Sequence, residues 1–593
     1  MKILKYILAV FLFALGSSVS LHAQDTIFDR NVNVEREYKP IIQDAGKINS
    51  VPAVLEPTVT KSVPRYNEFN LPLSVDYNIH TLSAAEMKHE QGDITKGGFA
   101  RFGLGNNLNT LVDFAYPIVN KSDMRLDFSL NHFATFNAKA HSTTKAALSF
   151  DKYFENLDWY TGVGGGHEYF KYYGDNFNIN SPDTLDLNGL ANSYPTASYE
   201  ERNLTSISRN AQTYSLRELA DAPMAETFWR FNAFTGIRSL PLSTGLRYKA
   251  EVKYQLFDSR NGLTEHLIHT QAGFSTPVDS NRLGVDLDLY NLMYRSNSAE
   301  SLNFWDAYTV FSMNPYYSIE RAHFNVRLGV KSAFSFVHGK PFNPSADVNA
   351  EWKMIPKYLS LYGGLTGGYD VNTLDNMFTE NRYLYSDVRV QDTYTPYNVY
   401  AGIKVKPLYN LLLDGYVNYR QIDNQYFFVN KEYELTSPLN GMSYVNSNLY
   451  TNRFNVLYSS ASLLKIGVRA NYNLQDRLNV QLKGAFNGWD VATEEFAWNK
   501  PRWEADLSTD VHITRDLSVS TNVFFEGERY AKIGVSPMRM RPKVDINLGL
   551  SYSYLQWFTA FVKVNNLINN PYQNFYGYEV QGQNVLVGAA FSF

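Results

Sequence analysis

His266 and His269 are the histidines whose proximity in sequence first suggests a metal centre, because two imidazoles from one short segment can chelate a zinc-type ion. Three residues apart on a strand they point to opposite faces, so they cannot hold one ion there. The chain carries 11 histidines and no cysteine. Disulfides, thiol nucleophiles and thiolate metal sites are therefore excluded. No Gly-x-Ser-x-Gly nucleophile turn occurs, and the run Gly363–Gly368 lacks the Lys-Ser/Thr of a phosphate-binding loop and is followed by no helical pattern. These glycines, like Gly162 and Gly164–Gly166, read as bends or close-packing points within strands. The expectation is a protein that is not an enzyme, with no catalytic residue, no cofactor and no metal.

What remains is aromatic. Tyr 43, Phe 38 and Trp 8 make 15% of the chain against 19% charged residues, a load expected of two interfacial girdles around a polar lumen. Tyr153, Phe154 and Trp159 flank an expected inner turn. Tyr169, Phe170, Tyr172 and Tyr173 end the strand that follows, and Tyr426, Phe427 and Phe428 form a second cluster at the same expected outer level. Such rings mark height in a membrane, or stack on sugar rings as a binding platform.

The elements that would position them alternate with period two over segments of about ten residues, the length a tilted transmembrane strand requires. Met124, Leu126, Phe128 and Leu130 interleave with Arg125, Asp127, Ser129 and Asn131, and Val544, Ile546, Leu548, Leu550 and Tyr552 interleave with Asp545, Asn547, Gly549, Ser551 and Ser553. Leu246, Tyr248, Ala250, Val252 and Tyr254 likewise interleave with Arg247, Lys249, Glu251 and Lys253. Charges this regular suit a water-filled lumen and would be costly on the dry inner face of a sandwich. Tight turns at Asn120–Ser122, Leu474–Arg477 and Thr514–Asp516 alternate with long polar stretches at 173–222, 372–396 and 431–449. Counting upward from Gly97, with 452–473 as one long strand, gives an all-β, closed, antiparallel transmembrane barrel of about 22 strands.

Ahead of it, Lys2 and Lys5, the apolar run Tyr6–Leu15 and a cleavage-like Leu21-His22-Ala23 read as a signal peptide over residues 1–23. Residues 24–96 follow as an extended periplasmic segment, its Pro40, Pro52, Pro57, Pro64 and Pro72 precluding a persistent helix or central strand. The barrel is assigned to 97–593, in the bacterial outer membrane. Net charge of −4 gives no reason to invoke nucleic acid. The expected partners are outer-membrane lipid and, through residues 24–74, a periplasmic or surface protein.

The C-terminal text resembles a known family. Val564-Asn565-Asn566-Leu567, with Pro571-Tyr572 behind it and Val585, Val587, Ala589, Phe591 and Phe593 on one terminal face, is similar to the last hairpin of TonB-dependent receptors. That resemblance implies a 22-stranded barrel that imports siderophores, vitamins or glycans. It also implies that Phe591 and Phe593 form the signal read by the barrel-assembly machinery. The family's N-terminal plug needs on the order of a hundred residues, and only 24–96 precede the barrel, so a plugless barrel is expected. Asp25–Asp29 is too unspecific to serve as an energy-coupling box. Two function classes follow: passage of a solute across the outer membrane, or a scaffold barrel anchoring an envelope complex. A lumen this wide is normally obstructed; the expected internal obstruction is the loop near 173–222 folding inward, with residues 24–74 closing the periplasmic mouth, and a partner protein is the alternative.

Overall fold

Alternation in sequence becomes alternation of faces in the computed structural model, which describes residues 97–593 apart from 175–223, 240–244, 261, 280, 297–306, 338, 386–387, 437–442, 476 and 535. The proline-bearing segment and most of the 173–222 stretch lie outside the described residues. In chain order the strands are β1 (Phe99–Gly105), β2 (Thr110–Lys121), β3 (Met124–Thr135), β4 (His141–Tyr153), β5 (Leu157–Lys171), β6 (Ala225–Ser239), β7 (Arg247–Ser259), β8 (Leu263–Val278) and β9 (Asn281–Ser296). Next come β10 (Tyr308–Glu320), β11 (Phe324–Phe336), β12 (Phe342–Ile355), β13 (Leu359–Asp370), β14 (Thr393–Leu408), β15 (Leu411–Thr436), β16 (Ser443–Leu474), β17 (Leu478–Val491), β18 (Trp503–His512) and β19 (Leu517–Glu526). The last are β20 (Arg529–Ile533), β21 (Ser536–Met540), β22 (Lys543–Leu555), β23 (Phe558–Asn565), β24 (Gln573–Phe575), β25 (Tyr578–Glu579) and β26 (Asn584–Ser592), with one helix, α1 (Leu374–Glu380).

Twenty-two of these strands form a single antiparallel sheet that closes where β1 pairs with β26, while β20–β21 and β24–β25 are small separate hairpins. Closure leaves no backbone edge in hydrocarbon, the condition a strand-built membrane span must meet. The sequence-based count and the single long strand over 452–473 agree with this sheet. The stretch 431–449 differs: all but 437–442 continues β15 and β16, which reach 26 and 32 residues. At about 3.3 Å per residue these strands measure roughly 85 and 105 Å, far beyond the apolar band of about 25 Å. Their hairpin projects from the long-loop rim.

A bulge governs how that hairpin faces its neighbours. Asp423 and Asn424 oppose one residue of β16, and Asn424 is left-handed at φ 60. The extra residue re-aims the chain above it. Below the bulge Asp414 and Asn418 face the bore. Above it Tyr426 and Phe428 pack on one side and Phe427 and Val429 on the other.

On β22, Leu548, Leu550 and Tyr552 are exposed outward while Asp545 and Asn547 are buried inward. The bore wall has its own logic. Gly236, Gly284, Gly364, Gly402 and Gly467 pair directly with Tyr160, Tyr316, Tyr400, Tyr362 and Tyr416, and a side chain at any of these glycines would meet the tyrosine ring. The rings thus lie flat along the wall. Cations stack on four of them: Arg327 at 3.6 Å from Tyr316, Arg469 at 4.7 Å from Tyr416, Lys404 at 4.8 Å from Tyr362 and Arg238 at 5.4 Å from Tyr160. Each cation also meets a carboxylate, as Arg327 meets Asp286 and Asp347. Gly402→Val is expected to lift Tyr362 off the wall, break its hydrogen bond to Asp414 and destabilise the barrel by about 1–3 kcal/mol. Chemical unfolding monitored on purified protein would read this loss.

Candidate functional site: a lid across the bore

Residues 371–392 connect β13 to β14 at the long-loop rim and turn inward. Thr373 caps α1, its hydroxyl accepting from Asn376 N at 3.1 Å, and Glu265 of β8 accepts from Leu374 N at 2.7 Å. Leu374, Met377 and Phe378, spaced to share one helical face, are buried at 0%, 1% and 2% exposure. Phe378 lies 4.9 Å from Phe228 of β6 and 5.3 Å from Phe257 of β7. Past the helix, Leu384 bridges Phe454 of β16, with Tyr385 N donating to Phe454 O and Phe454 N to Tyr383 O. From its roots at β13 and β14 the loop reaches β6 and β7, seven strands away around the ring of 22, and the upper end of β16 leans in beside it, where Asn452 donates to Tyr172 O at 3.3 Å. Loop and strand end together cover the bore.

Three further loops join it. Tyr578, which opens β25, stacks on Tyr383 at 3.6 Å and donates its hydroxyl to Asn452 O at 2.5 Å. Lys500, from the loop after β17, reaches Glu380 at 3.0 Å. Arg529 of β20 donates to Asn574 O and Gln573 O at 2.8 and 2.6 Å, holding the β24–β25 hairpin down. A continuous apolar cluster results, including Phe170, Tyr172, Phe228, Phe257, Leu374, Met377, Phe378, Leu384, Val388, Phe428, Phe454, Phe575 and Tyr578. At about 1.5–3 kcal/mol per fully buried large apolar side chain, the five from the loop alone contribute on the order of 10 kcal/mol, an upper estimate. This is a folded core set over the bore.

Ion pairs fix its orientation. Glu168 of β5 receives Arg230 at 2.7 Å on one carboxylate oxygen and Arg382 at 3.1 Å on the other, and Arg230 also meets Asp375 of α1 at 2.6 Å. At the loop's end Asp392 accepts from the Tyr308 and Tyr369 hydroxyls at 3.0 and 2.9 Å and from Asn372 N at 3.1 Å. Burial nevertheless pushes its carboxyl up to about 6, against the hydrogen bonds from Tyr369, Tyr308 and Asn372 and with the help of nearby Asp370. A carboxyl that holds its proton more tightly when docked than when free contributes stability fully present below about pH 4, lost as pH rises to about 6 and flat above. The two-unit span corresponds to about 3 kcal/mol. Hydrogen exchange of the 383–391 amides, corrected for intrinsic rates, is expected to accelerate across that window and to lose the dependence in Asp392→Asn.

The aromatic residues singled out in the sequence divide three ways. Phe170, Tyr172, Tyr173, Tyr426 and Phe428 come together in the lid cluster. Phe427 sits in a second cluster with Ala461 and Trp498, and Tyr169, paired to Ser142 and Thr227, shares the outward face of β5. Phe591 packs at 5.4 Å from Phe558, and Phe593 at 6.1 Å from Tyr116. His266 meets the Tyr254 hydroxyl at 2.8 Å, whereas His269 turns inward to Asp288 at 3.2 Å, so the pair is split as its spacing requires. Glu168, Arg230, Arg382, Glu380 and Lys500 carried no sequence signal, since each partner is more than 60 positions away.

No family model matches the chain, and no curated protein matches it. Solved structures do. The siderophore receptor PirA from Acinetobacter baumannii superposes with a TM-score of 0.59 at 11% identity, covering 85% of this chain and 81% of that one. The ferric-catecholate import receptor Fiu from E. coli K12 gives 0.56 at 10% identity, covering 85% and 82%. The described chain has the fold of a TonB-dependent receptor barrel. The copper transporter OprC shares that receptor-type barrel, with a TM-score of 0.57 at 11% identity over 85% of this chain and 81% of its own. These neighbours are named as receptors and a transporter, not as enzymes.

Proposed function

We propose that this chain is an outer-membrane barrel that passes a solute from the cell surface to the periplasm, with its bore closed at rest by the lid. The observation that carries this reading is the apolar core that the 371–392 loop and the upper end of β16 build over a bore whose wall is otherwise polar and lined by flat tyrosines. A pure anchor has no need of a wide polar bore, and an open pore has no need of a folded core across it. In this reading residues 1–23 are removed on export and 24–96 remain in the periplasm as a partner-docking segment. The lid rim faces the cell exterior, and Phe591 and Phe593 are read by the assembly machinery. Phe170, Tyr172, Tyr173, Tyr426 and Phe428 then form the packing bed of the lid, open to a ligand's rings only when the lid lifts.

Planar-bilayer conductance tests this, with residues 373–391 intact or replaced by a short linker, each with and without residues 24–96. The intact lid should hold the barrel silent, and its replacement should release large discrete steps. A barrel silent in every form that copurifies stoichiometrically with other envelope proteins would refute passage. Such a result would favour the scaffold reading, to which the projecting β15–β16 hairpin lends itself as a docking arm.

A further inference from the structure

The barrel wall is not of even height. Three neighbouring strands at the closure, β23, β26 and β1, have 8, 9 and 7 residues, whereas every other barrel strand has at least 10. At about 3.3 Å per residue and a tilt of about 40°, they rise roughly 18–23 Å, short of an apolar band of about 25 Å. The lower boundary of this stretch is set by Trp557 and Phe593, exposed at 52% and 55%. Above it, where taller walls continue as strand, the rim loops carry apolar side chains. Leu108 is 70% exposed, Leu567 and Ile568 are 42% and 49% exposed, and Leu104 near the top of β1 is also 70% exposed.

We propose that this low seam is covered by lipid acyl chains up to and including its rim loops, so that residues 106–109 and 566–570 lie inside the apolar layer rather than in water. The exposed apolar residues continue upward from the outward-facing Leu548, Phe102 and Val587 to Leu104, Leu108, Leu567 and Ile568, with Asn106, Asn107 and Asn569 exposed beside them. Much of the loops' hydrogen bonding is internal, the direction hydrocarbon favours: Asn109 N donates to Asn106 O at 3.2 Å, Leu567 N to Ile546 O at 2.8 Å and Asn569 N to Asn566 O at 2.8 Å. Val585 N donates to Asn106 Oδ1 at 2.9 Å and the Asn106 amide to Gln583 O at 3.3 Å. Asn566 N donates to Asn547 Oδ1 at 3.0 Å, and the Asn566 amide to Asn570 O at 3.0 Å. Asn570 N returns to Asn566 Oδ1 at 2.9 Å, and the Asn570 amide donates to Val544 O at 3.2 Å. The same loop that meets lipid at Leu567 and Ile568 delivers Phe575 and Tyr578 to the lid core. One support of the lid thus rests in the bilayer.

The inference rests on the membrane reading above, and the test separates the two. Because the chain has no native cysteine, Leu108→Cys and Ile568→Cys can each be labelled with an environment-sensitive fluorophore in proteoliposomes, beside Leu548→Cys as a lipid reference and Thr379→Cys as a water reference. The expected result at 108 and 568 is a blue-shifted emission, quenched by nitroxide lipid and spared by aqueous iodide, as at 548. Iodide quenching at 108 and 568 with lipid quenching at 548 overturns the seam alone, while iodide quenching at 548 as well overturns the membrane reading. Protection from both quenchers, with disulfide crosslinks between copies, assigns the seam to a second copy and equally overturns the proposal.

Discussion

Leu548→Arg is expected to cost about 2–4 kcal/mol and to impair insertion, because it sets a guanidinium mid-strand on the outward face of β22. Leu548 stands between Thr521 and Val564 on neighbouring strands, with Leu550 and Ile546 flanking it on the same face. None of them offers the arginine a carboxylate. The control is Lys483→Glu, an exposed charge on the inward face of β17, where water solvates either sign and a change within about 0.5 kcal/mol is expected. Urea unfolding in detergent or lipid, together with heat-modifiable migration of membrane fractions, gives both numbers. Equal tolerance at the two positions would invert the assignment of faces. Asp545 is a poor control despite facing inward, since it is 3% exposed and accepts from the Tyr572 hydroxyl at 2.6 Å.

The second large effect lies in the lid. Glu168→Ala removes the carboxylate on which Arg230 and Arg382 converge, leaving Arg382 with no carboxylate at that point and Arg230 with Asp375 only. Breaking one partner out of a buried ion-pair set costs about 3–5 kcal/mol. Set against the order of 10 kcal/mol of apolar burial in the loop, this weakens closure without abolishing the fold. An opening equilibrium shifted by 3 kcal/mol changes on the order of a hundredfold. The readout is the labelling rate of Met377→Cys, buried under the closed lid, which should rise by about that factor in Glu168→Ala and by much less in Glu168→Gln, where an acceptor oxygen survives. An unchanged rate in Glu168→Ala would show that the ion pairs do not hold the lid.

Much of the barrel was legible in the sequence because its cause is local. A strand with lipid on one side and water on the other must alternate, and the tally of alternating segments and long and short connections led to about 22 strands in antiparallel succession, the number the sheet has. The lid was not legible because its cause is not local. Leu374, Met377 and Phe378 carry a helical spacing with Thr373 as a cap, but over seven residues inside a polar stretch that pattern identifies no partner. Its partners, Phe228, Phe257 and Phe454, are brought there only by closure of the ring. The same limit explains why 431–449 looked like a loop: beyond the bilayer a strand no longer needs an apolar face, so its composition stops reporting its structure.

Pairing of β1 with β26, extended by reciprocal hydrogen bonds between Gly98 and Phe593, ties the first and last strands of the sheet together. The consequence is temporal. A ribosome must release the final residue before the cylinder can seal, so every nascent form of this protein presents two bare edges. Losing β26 would therefore leave an open sheet that no later step could mend, and until closure both bare edges have to be kept from pairing with those of other copies.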